Sequence, residues 1–209
     1  MPRRAKIRPD EPGRERILDA ARAQFGERGY DATSIAEIGA GAGISKSVLY
    51  HYFGSKAGLY RALLEHDSQE LIEAVAAVVP PPDADAPRLR PGVDAFLKFL
   101  SEHPGTWKLM TRDPPADPAL RDLHRKIDRS VASTLRHLLA DPGKRESRPE
   151  LVDLIAMAVR TYASWWQLHR EVPREQVVAA IGDLAAAAGR RIRSGRAVRS
   201  GQVVKAVNR

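Results

Sequence analysis

The sequence predicts an all-α protein, with short helices near the N-terminus and longer helices in the rest of the chain. Apolar residues recur at the three-to-four spacing of one helical face in successive segments, and proline or glycine marks where those segments end. No segment alternates apolar and polar residues with β-branched enrichment, so we expect no strand. We therefore expect helices packed on helices.

The composition of the 209-residue chain is that of an ordinary globular protein, with 43% hydrophobic and 29% charged residues. The sequence contains no cysteine, which excludes disulfides, thiolate metal sites and thiol nucleophiles. It has neither a long apolar run nor the apolar core of a signal peptide, so we expect a cytoplasmic protein that has no membrane partner. No cofactor is expected.

The formal net charge of +8 is unevenly distributed along the chain. Residues 190–209 contain seven basic residues and no acidic one, whereas acidic residues outnumber basic ones by two in 61–189. A basic protein is consistent with nucleic-acid binding, but charge concentrated in a tail gives that interpretation little support by itself. We expect a disordered basic arm in 1–13 and a disordered basic tail in 194–209.

The first helix is expected from residue 14 onward. Its apolar residues share one helical face: Ile17, Leu18, Ala21 and Phe25. Gly29 stands where this helix would end. A second short helix opens at Thr33 or Ser34, because either hydroxyl can accept hydrogen bonds from the free N–H groups of a first turn. Glu37 lies three residues after Ser34, which completes a capping-box pattern.

Two further helices follow in the N-terminal region. Ser45 is expected to cap a third helix that ends at Gly54, and Ser55 to cap a longer fourth helix. The proline-rich run after residue 79 stops the fourth helix, since proline supplies no N–H and clashes with a continuing helix. The later helices, each bounded by proline or glycine, are expected near Val93–His103, Thr106–Arg112, Ala119–Leu139, Glu150–His169 and Arg174–Arg193.

The glycine-rich segment GAGAG at 39–43 raises the possibility of a phosphate-binding loop. A dinucleotide loop requires a preceding strand and a glycine in the place that Ile44 occupies, and a P-loop requires a Gly-Lys-Ser/Thr ending. Neither pattern is present. The segment is better explained as the end of one short helix and the turn into the next, with Gly43 in a left-handed conformation. Two short helices joined in this way form a helix-turn-helix, which places its second helix in the DNA major groove.

The third helix is expected to have a polar side and an apolar side. At about 100° per residue, the polar side carries Lys46, Ser47, Tyr50, His51 and Gly54, and the apolar side Leu49, Tyr52 and Phe53. Ser45 and the helix N-terminus can meet a phosphate. Lys46 can reach guanine O6 and N7 or a phosphate.

The remaining predicted contacts are to the DNA backbone. Tyr50 and His51 are suited to phosphate oxygens, while Ser34 and Lys56 can clamp the backbone on either side. The alternative is that these are ordinary exposed residues and that Tyr50 and Tyr52 are core aromatics. For Tyr52, a place in the core and a place facing DNA are both open.

The run from residue 16 to 65 resembles the N-terminal domain of the TetR/AcrR transcriptional regulators. The residues that carry the resemblance are Gly29-Tyr30, Thr33, Ile38, Ala42-Gly43-Ile44-Ser45, Leu49-Tyr50-His51-Tyr52-Phe53 and Ser55-Lys56. The resemblance implies DNA contacts from Thr33, Ser34 and Ala36 around the second helix, and from Ser45, Lys46, Ser47, Val48, Tyr50, His51 and Lys56.

The sequence departs from the family pattern in the second helix. Gly39 and Gly41 stand where members usually carry alanine and a polar or charged residue. Each glycine inside a helix costs about 1 kcal/mol against alanine, so this helix is expected to be soft. A small Ala36 also removes a long side chain that could have read a base.

The resemblance further implies a homodimer, in which the last two long helices of each subunit form a four-helix bundle, and a ligand pocket in the C-terminal domain. The apolar stripes of those helices supply the expected interface residues Leu151, Leu154, Ile155, Ala158, Trp165, Val177, Ile181, Leu184 and Ala188. The expected pocket residues are Phe96, Phe99, Trp107, Met110, Leu123, Ile127, Tyr162 and Trp166. Aromatic residues and methionine at helical spacing are more often ordinary core, so core is the favoured alternative for each of them.

Together these observations predict a helix-turn-helix DNA-binding domain in 14–60 and a helical ligand-binding and dimerisation domain in 61–193. The expected function is that of a dimeric regulator, a repressor released from a roughly palindromic operator by a small, largely hydrophobic effector. One alternative is a helical ligand-binding or interaction module without specific DNA binding, and another is a small enzyme that uses the C-terminal pocket.

Catalytic and metal sites are not expected from the local sequence. The six histidines form no His-x-x-x-His pair on a helical face, and no G-x-S-x-G elbow is present. This spacing argues against a local metal or hydrolytic site but not against one that folding assembles from distant residues. We therefore assign no catalytic residue and no metal ligand.

Overall fold

The computed structural model of the protein describes residues 11–81, 84, 86–111, 114–139 and 149–187, without the side chains of 11, 12, 135, 138, 139 and 149–152. In these ranges the chain forms nine helices and no strand, in agreement with the predicted all-α class. The helices are α1 Glu11–Ala32, α2 Ile35–Ala42, α3 Lys46–Phe53, α4 Lys56–Ala76, α5 Leu89–Glu102, α6 Pro104–Thr111, α7 Pro118–Leu139, α8 Pro149–Leu168 and α9 174–187.

The helix starts differ slightly from those predicted. Helix α1 begins at Glu11, inside the segment expected to be a disordered arm, because glutamate and proline both suit the first turn of a helix. Helices α6, α7 and α8 each begin on a proline, whose missing N–H costs nothing at the first helical position. Residues 1–10 and the predicted tail lie outside the described ranges.

The chain divides into two compact units. The first comprises the described residues of Met1–Glu73 and Phe99–Thr134, and the second those of Ala74–Lys98 and Leu135–Arg209. The first unit therefore extends beyond the 14–60 segment predicted as the DNA-binding domain. It includes most of α4, all of α6 and most of α7.

A hydrophobic core joins helices α1, α2, α3, α4, α6 and α7 of the first unit. The four residues predicted to share one face of α1, Ile17, Leu18, Ala21 and Phe25, are all fully buried in it. Leu109 of α6 and Leu120 of α7 join the same core. These contacts explain why the first unit includes α6 and α7, since burying their apolar residues removes them from water.

A buried polar network also joins α1, α4 and α6. Asp67 of α4 is fully buried and accepts hydrogen bonds from Arg22 Nε and Nη2, the latter at 2.7 Å, and from Thr106 Oγ1 at 2.6 Å. Burial by itself would lower the pKa of Arg22, but the hydrogen bonds and charges of Asp67 and Asp19 outweigh it and raise that pKa. The Asp67 carboxylate is thus paired and hydrogen-bonded, as a buried charge must be.

The second unit has its own buried residues, contributed by α5, α8 and α9: Val93, Phe96, Leu97, Val159, Ala163, Trp166, Val177 and Ile181. Two ion pairs connect α5 with α9 and its first turn. Arg90 Nη2 lies 2.7 Å from Asp183 Oδ1, and Arg174 Nε lies 2.7 Å from Asp94 Oδ1. Within the described ranges, none of the helices has the length and apolar character that a membrane span requires.

Candidate DNA-binding site

The N-terminus of α2 is fixed by the predicted capping box, with Ser34 and not Thr33 as the cap. Ser34 Oγ accepts a hydrogen bond from the N–H of Glu37 at 3.2 Å, and the Glu37 carboxylate accepts one from the N–H of Ser34 at 3.0 Å. Arg28 Nη1 lies 2.7 Å from the same carboxylate. The hydrogen bonds with Ser34, and after them the bond from Arg28, hold the pKa of Glu37 below its ordinary value.

The turn between α2 and α3 has the left-handed conformation that the sequence predicts. Gly43 has φ 65° and ψ 31°, and its N–H donates to the carbonyl of Ala40 at 3.2 Å. The N–H of Ile44 donates to the carbonyl of Gly39 at 2.8 Å. A Cβ at position 39 would lie 2.7 Å from the carbonyl oxygen of Ile44, so glycine accommodates this close approach. Gly39 therefore has a packing role that its helix propensity did not reveal.

Helix α3 has the two sides that its periodicity predicts. Ser45 caps it by accepting a hydrogen bond from the N–H of Val48 at 3.4 Å, and Gly54 ends it with φ 72°. Leu49 is fully buried in the core. The residues expected on the polar side, Lys46, Ser47, Tyr50, His51 and Gly54, are all exposed.

Four of the predicted contact residues are buried or half-buried: Thr33, Val48, Tyr52 and Lys56. Thr33 is only 3% exposed, and its hydroxyl donates to the carbonyl of Gly29 at 2.7 Å and lies 3.2 Å from that of Gln24. Its assignment as a DNA contact is therefore corrected, because the hydroxyl is committed to the end of α1. Tyr52 is half-buried and packs against the core, which favours packing over a place facing DNA. Val48 is also half-buried, whereas Ala36 is exposed.

The two lysines of the site lie beside aromatic rings. Lys46 Nζ is 5.7 Å from the ring centroid of Tyr50, one turn along α3. Lys56 Nζ is 4.4 Å from the ring centroid of Tyr30 and 3.4 Å from the carbonyl oxygen of Asp31. Partial burial lowers the pKa of Lys56, and the charge of Asp31 opposes that effect. The helix-turn-helix and the start of α4 thus present an exposed polar face on α3, two capped helix starts and two ammonium groups.

This part of the chain matches a known family. Residues 17–63 match the family described as "Bacterial regulatory proteins, tetR family". The crystal structure of a TetR-like transcriptional regulator from Rhodococcus sp. RHA1 is similar with a TM-score of 0.69 at 25% identity, over 85% of this chain and 96% of that one. The chain belongs to the TetR family.

Curated relatives agree with this assignment. The HTH-type transcriptional activator FasR of Mycolicibacterium smegmatis is 28% identical over 180 residues, which cover 84% of this chain and 82% of the relative. The HTH-type transcriptional repressor AcnR of Corynebacterium glutamicum is 33% identical over 63 residues, 30% of this chain and 34% of the relative. This TetR-family protein is a DNA-binding transcriptional regulator and not an enzyme.

The residues predicted to line a ligand pocket fall in different places in the TetR-family protein. A crevice of about 20 Å³, room for about one water molecule, lies in the first unit. Its lining residues are Leu64, Met110, His124, Ile127, Asp128 and Val131. Met110 and Ile127 were predicted. The other four were not, although their three-to-four spacing along α7 could have indicated three of them.

The other predicted pocket residues do not line this crevice. Phe99 and Trp107 are buried in the first unit, and Leu123 packs against its core. Phe96 and Trp166 are buried in the second unit. Tyr162 is 37% exposed on α8, and its place in a ligand pocket stays a prediction.

The residues predicted for the dimer interface divide into exposed and buried groups. Leu154, Trp165 and Leu184 are exposed, and Ile155 and Ala158 are half-buried. Val177 and Ile181 are only 3% and 1% exposed, so their assignment to an interface is corrected: they pack inside the second unit. The side chain of Leu151 and all of Ala188 lie outside what the structure describes. Met157 and Leu168 are exposed apolar residues of α8 that the prediction omitted.

Folding brings three potential metal-ligating side chains, His66, Asp67 and Glu70, within 4.8 Å of one another on α4. The Arg22–Asp67 ion pair and the contacts of His66 with Glu15 and Glu70 account for this grouping. Both oxygens of Asp67 accept hydrogen bonds from Arg22, and one also accepts from Thr106. His66 Nε2 lies 3.2 Å from Glu15 Oε2 and 3.5 Å from Glu70 Oε1.

Proposed function

We propose that the protein is a dimeric repressor that binds a roughly palindromic operator and is released by a small, largely hydrophobic effector. The observation that supports DNA binding best is the exposed polar face of α3, which the left-handed turn at Gly43 sets apart from α2. The residues proposed to contact DNA are Ser34, Ala36, Ser45, Lys46, Ser47, Val48, Tyr50, His51 and Lys56.

In this proposal the contacts have different tasks. Lys46 lies in the first turn of α3, the end of a recognition helix that commonly meets base edges, and can donate to guanine O6 and N7. Ser45 and Tyr50 donate to phosphate oxygens, which fixes the register of the helix but carries no sequence information. Ser34 at the start of α2 and Lys56 at the start of α4 engage the backbone on either side.

Dimerisation is supported by exposed apolar residues on α8 and α9. We name as the apolar dimer face Leu154, Met157, Trp165, Leu168 and Leu184. Single exposed apolar residues are common on proteins, but a group on two helices of one unit favours an interaction surface. A two-fold dimer sets two recognition helices about 34 Å apart, one turn of B-DNA, and so requires a roughly palindromic operator.

Release by an effector requires a ligand that prefers a conformation with misaligned recognition helices. Such a ligand weakens DNA binding by the same factor by which DNA weakens ligand binding. The relatives differ in whether they activate or repress transcription. FasR, which covers most of the chain, is named an activator, and AcnR, which matches a shorter segment, is named a repressor.

Selection of bound fragments from random-sequence DNA tests the proposal most directly. We expect an enriched motif with two-fold symmetry and half-sites about one helical turn apart. Lys46→Ala should then weaken binding to the enriched duplex about 5- to 100-fold and binding to unrelated DNA much less. The matched control is Lys126→Ala, which removes the same charge from an exposed position on α7.

Two results would contradict this function. The absence of any enriched motif would favour the interaction-module alternative, and equal losses from Lys46→Ala and Lys126→Ala would remove Lys46 from the base-reading set. A panel of hydrophobic small molecules, ranked by thermal stabilisation of the protein, then supplies candidate effectors. An effector that tightens operator binding would show that the protein is not a ligand-released repressor.

A further inference from the structure

Lys56 is a proposed DNA contact whose ammonium has defined neighbours within the protein. It lies at the first position of α4 and not on the recognition helix. Its ammonium is over the face of Tyr30, 4.4 Å from the ring centroid, and 3.4 Å from the main-chain oxygen of Asp31. Both partners come from the end of α1, so the position of the ammonium depends on a second helix.

The Tyr30 ring is itself fixed by the core. It stacks on Phe25 with a centroid distance of 5.8 Å and meets Tyr60 edge-on at 5.0 Å. Burial, with the charges of Asp117 and Asp31, raises the pKa of Tyr30 above its ordinary value. The phenol is therefore neutral at physiological pH, and the ring presents an uncharged face that attracts a cation.

Asp31 connects the surroundings of the Lys56 ammonium to the start of α7. Its Oδ2 accepts a hydrogen bond from the N–H of Ala116 at 3.3 Å. The next residue, Asp117, caps α7 by accepting hydrogen bonds from the N–H groups of Ala119 and Leu120 at 2.8 and 3.3 Å. One residue thus contacts the Lys56 ammonium through its carbonyl and the entry to α7 through its carboxylate.

We propose that Tyr30 and Asp31 are positioning residues for DNA binding, which hold the Lys56 ammonium ready for a backbone phosphate and make its position depend on the start of α7. A free lysine loses much side-chain freedom on contacting a phosphate, and a lysine already held in place loses less. An ammonium has three N–H donors, so the bond to Asp31 leaves donors for DNA. This inference rests on the proposed function, in which Lys56 contacts DNA.

The role of Tyr30 is tested by a double-mutant cycle on the duplex enriched from random DNA. Tyr30→Leu should weaken binding about two- to fivefold, the strength expected of an exposed cation–π contact, and Tyr30→Phe should retain wild-type affinity within about twofold. In a Lys56→Ala background, Tyr30→Leu should have no further effect. The same loss in both backgrounds would mean that Tyr30 acts through packing and would overturn its positioning role.

Asp31 provides a test that does not disturb the core, because its side chain is exposed. Asp31→Ala and Asp31→Asn remove the same negative charge, but only asparagine can still accept from the N–H of Ala116. We expect Asp31→Ala to bind the duplex at least about twofold more weakly than Asp31→Asn, and this difference to vanish in the Lys56→Ala background. Equal affinities of the two variants with Lys56 intact would refute the link to α7.

These results separate the inference from the function on which it rests. If the wild-type protein enriches no sequence and Lys56→Ala changes nothing, the proposed function fails, and the positioning role fails with it. If Lys56→Ala weakens binding but shows no coupling to Tyr30 or Asp31, only the positioning role is wrong. A Tyr30→Leu variant that does not fold leaves the Asp31 pair to decide, since both members remain on an intact core.

Discussion

The buried carboxylate of Asp67 should stabilise the first unit far more than an exposed carboxylate on the same arginine. Arg22 contacts both Asp67, which is fully buried, and Asp19, whose side chain is 69% exposed and whose Oδ1 lies 2.5 Å from Nη1. Asp67→Ala removes the acceptor of Arg22 and Thr106 and leaves a mostly buried guanidinium without its buried partner. We expect a loss of about 3–5 kcal/mol in the free energy of unfolding.

The matched variant is Asp19→Ala, which removes a charge partner from the same guanidinium at the protein surface. We expect a loss of at most about 1 kcal/mol, because solvent screens exposed ion pairs. Thr106→Val removes one hydrogen bond to the carboxylate and should cost about 1–3 kcal/mol.

Urea unfolding followed by circular dichroism measures all three variants, at one protein concentration because association changes apparent stability. The urea concentration at the unfolding midpoint should decrease least for Asp19→Ala, more for Thr106→Val and most for Asp67→Ala. The dependence of the unfolding free energy on urea concentration should change little. An Asp67→Ala variant as stable as Asp19→Ala would refute the argument that burial makes this pairing strong.

Further predictions concern the helix-turn-helix. Gly41→Ala should stabilise the protein by up to about 1 kcal/mol, since position 41 is exposed and an added Cβ would make only an ordinary van der Waals contact with Ala20. Gly39→Ala should lack this gain, because its Cβ would crowd the carbonyl oxygen of Ile44. Equal changes in melting temperature for the two variants would contradict the crowding. Thr33→Val should cost about 1 kcal/mol of stability but leave the salt dependence of DNA binding unchanged, and a shallower salt slope would restore Thr33 as a phosphate contact. The lowered pKa of Glu37 predicts that its stabilisation relative to Glu37→Gln is complete above pH 4.5 and is lost as the pH falls through that lowered pKa; a difference in melting temperature that does not change between pH 6 and about pH 3 would disprove this.

Much of the candidate site could be predicted from sequence because it depends on local chemistry. The cap at Ser34, the left-handed turn at Gly43 and the two sides of α3 each follow from residues within one or two helical turns. Hydrogen bonds to neighbouring N–H groups, allowed backbone angles and helical periodicity are all short-range, so the pattern of residues is sufficient to predict them.

The errors occurred where distant residues decide the outcome. Thr33 is a small polar residue of the kind that often contacts DNA. Its hydroxyl donates a hydrogen bond to the carbonyl of Gly29, where the backbone of α1 is not helical. Val177 and Ile181 have the spacing of an interface stripe but are buried in their own unit. An apolar stripe shows that a helix face will be covered, and it does not show which element covers it.

By itself, the sequence determined the all-α class, the helix-turn-helix and the family to which the chain belongs, because these depend on local patterns and on order along the chain. Only the tertiary structure decided that α6 and α7 join the first unit, that Asp67 is buried between Arg22 and Thr106, and that Asp31 joins Lys56 to the start of α7. Those contacts connect residues that lie 25 to 85 positions apart. Such pairs form only when the chain packs, since the free energy of burying a charge or stacking a cation depends on which groups folding brings beside it.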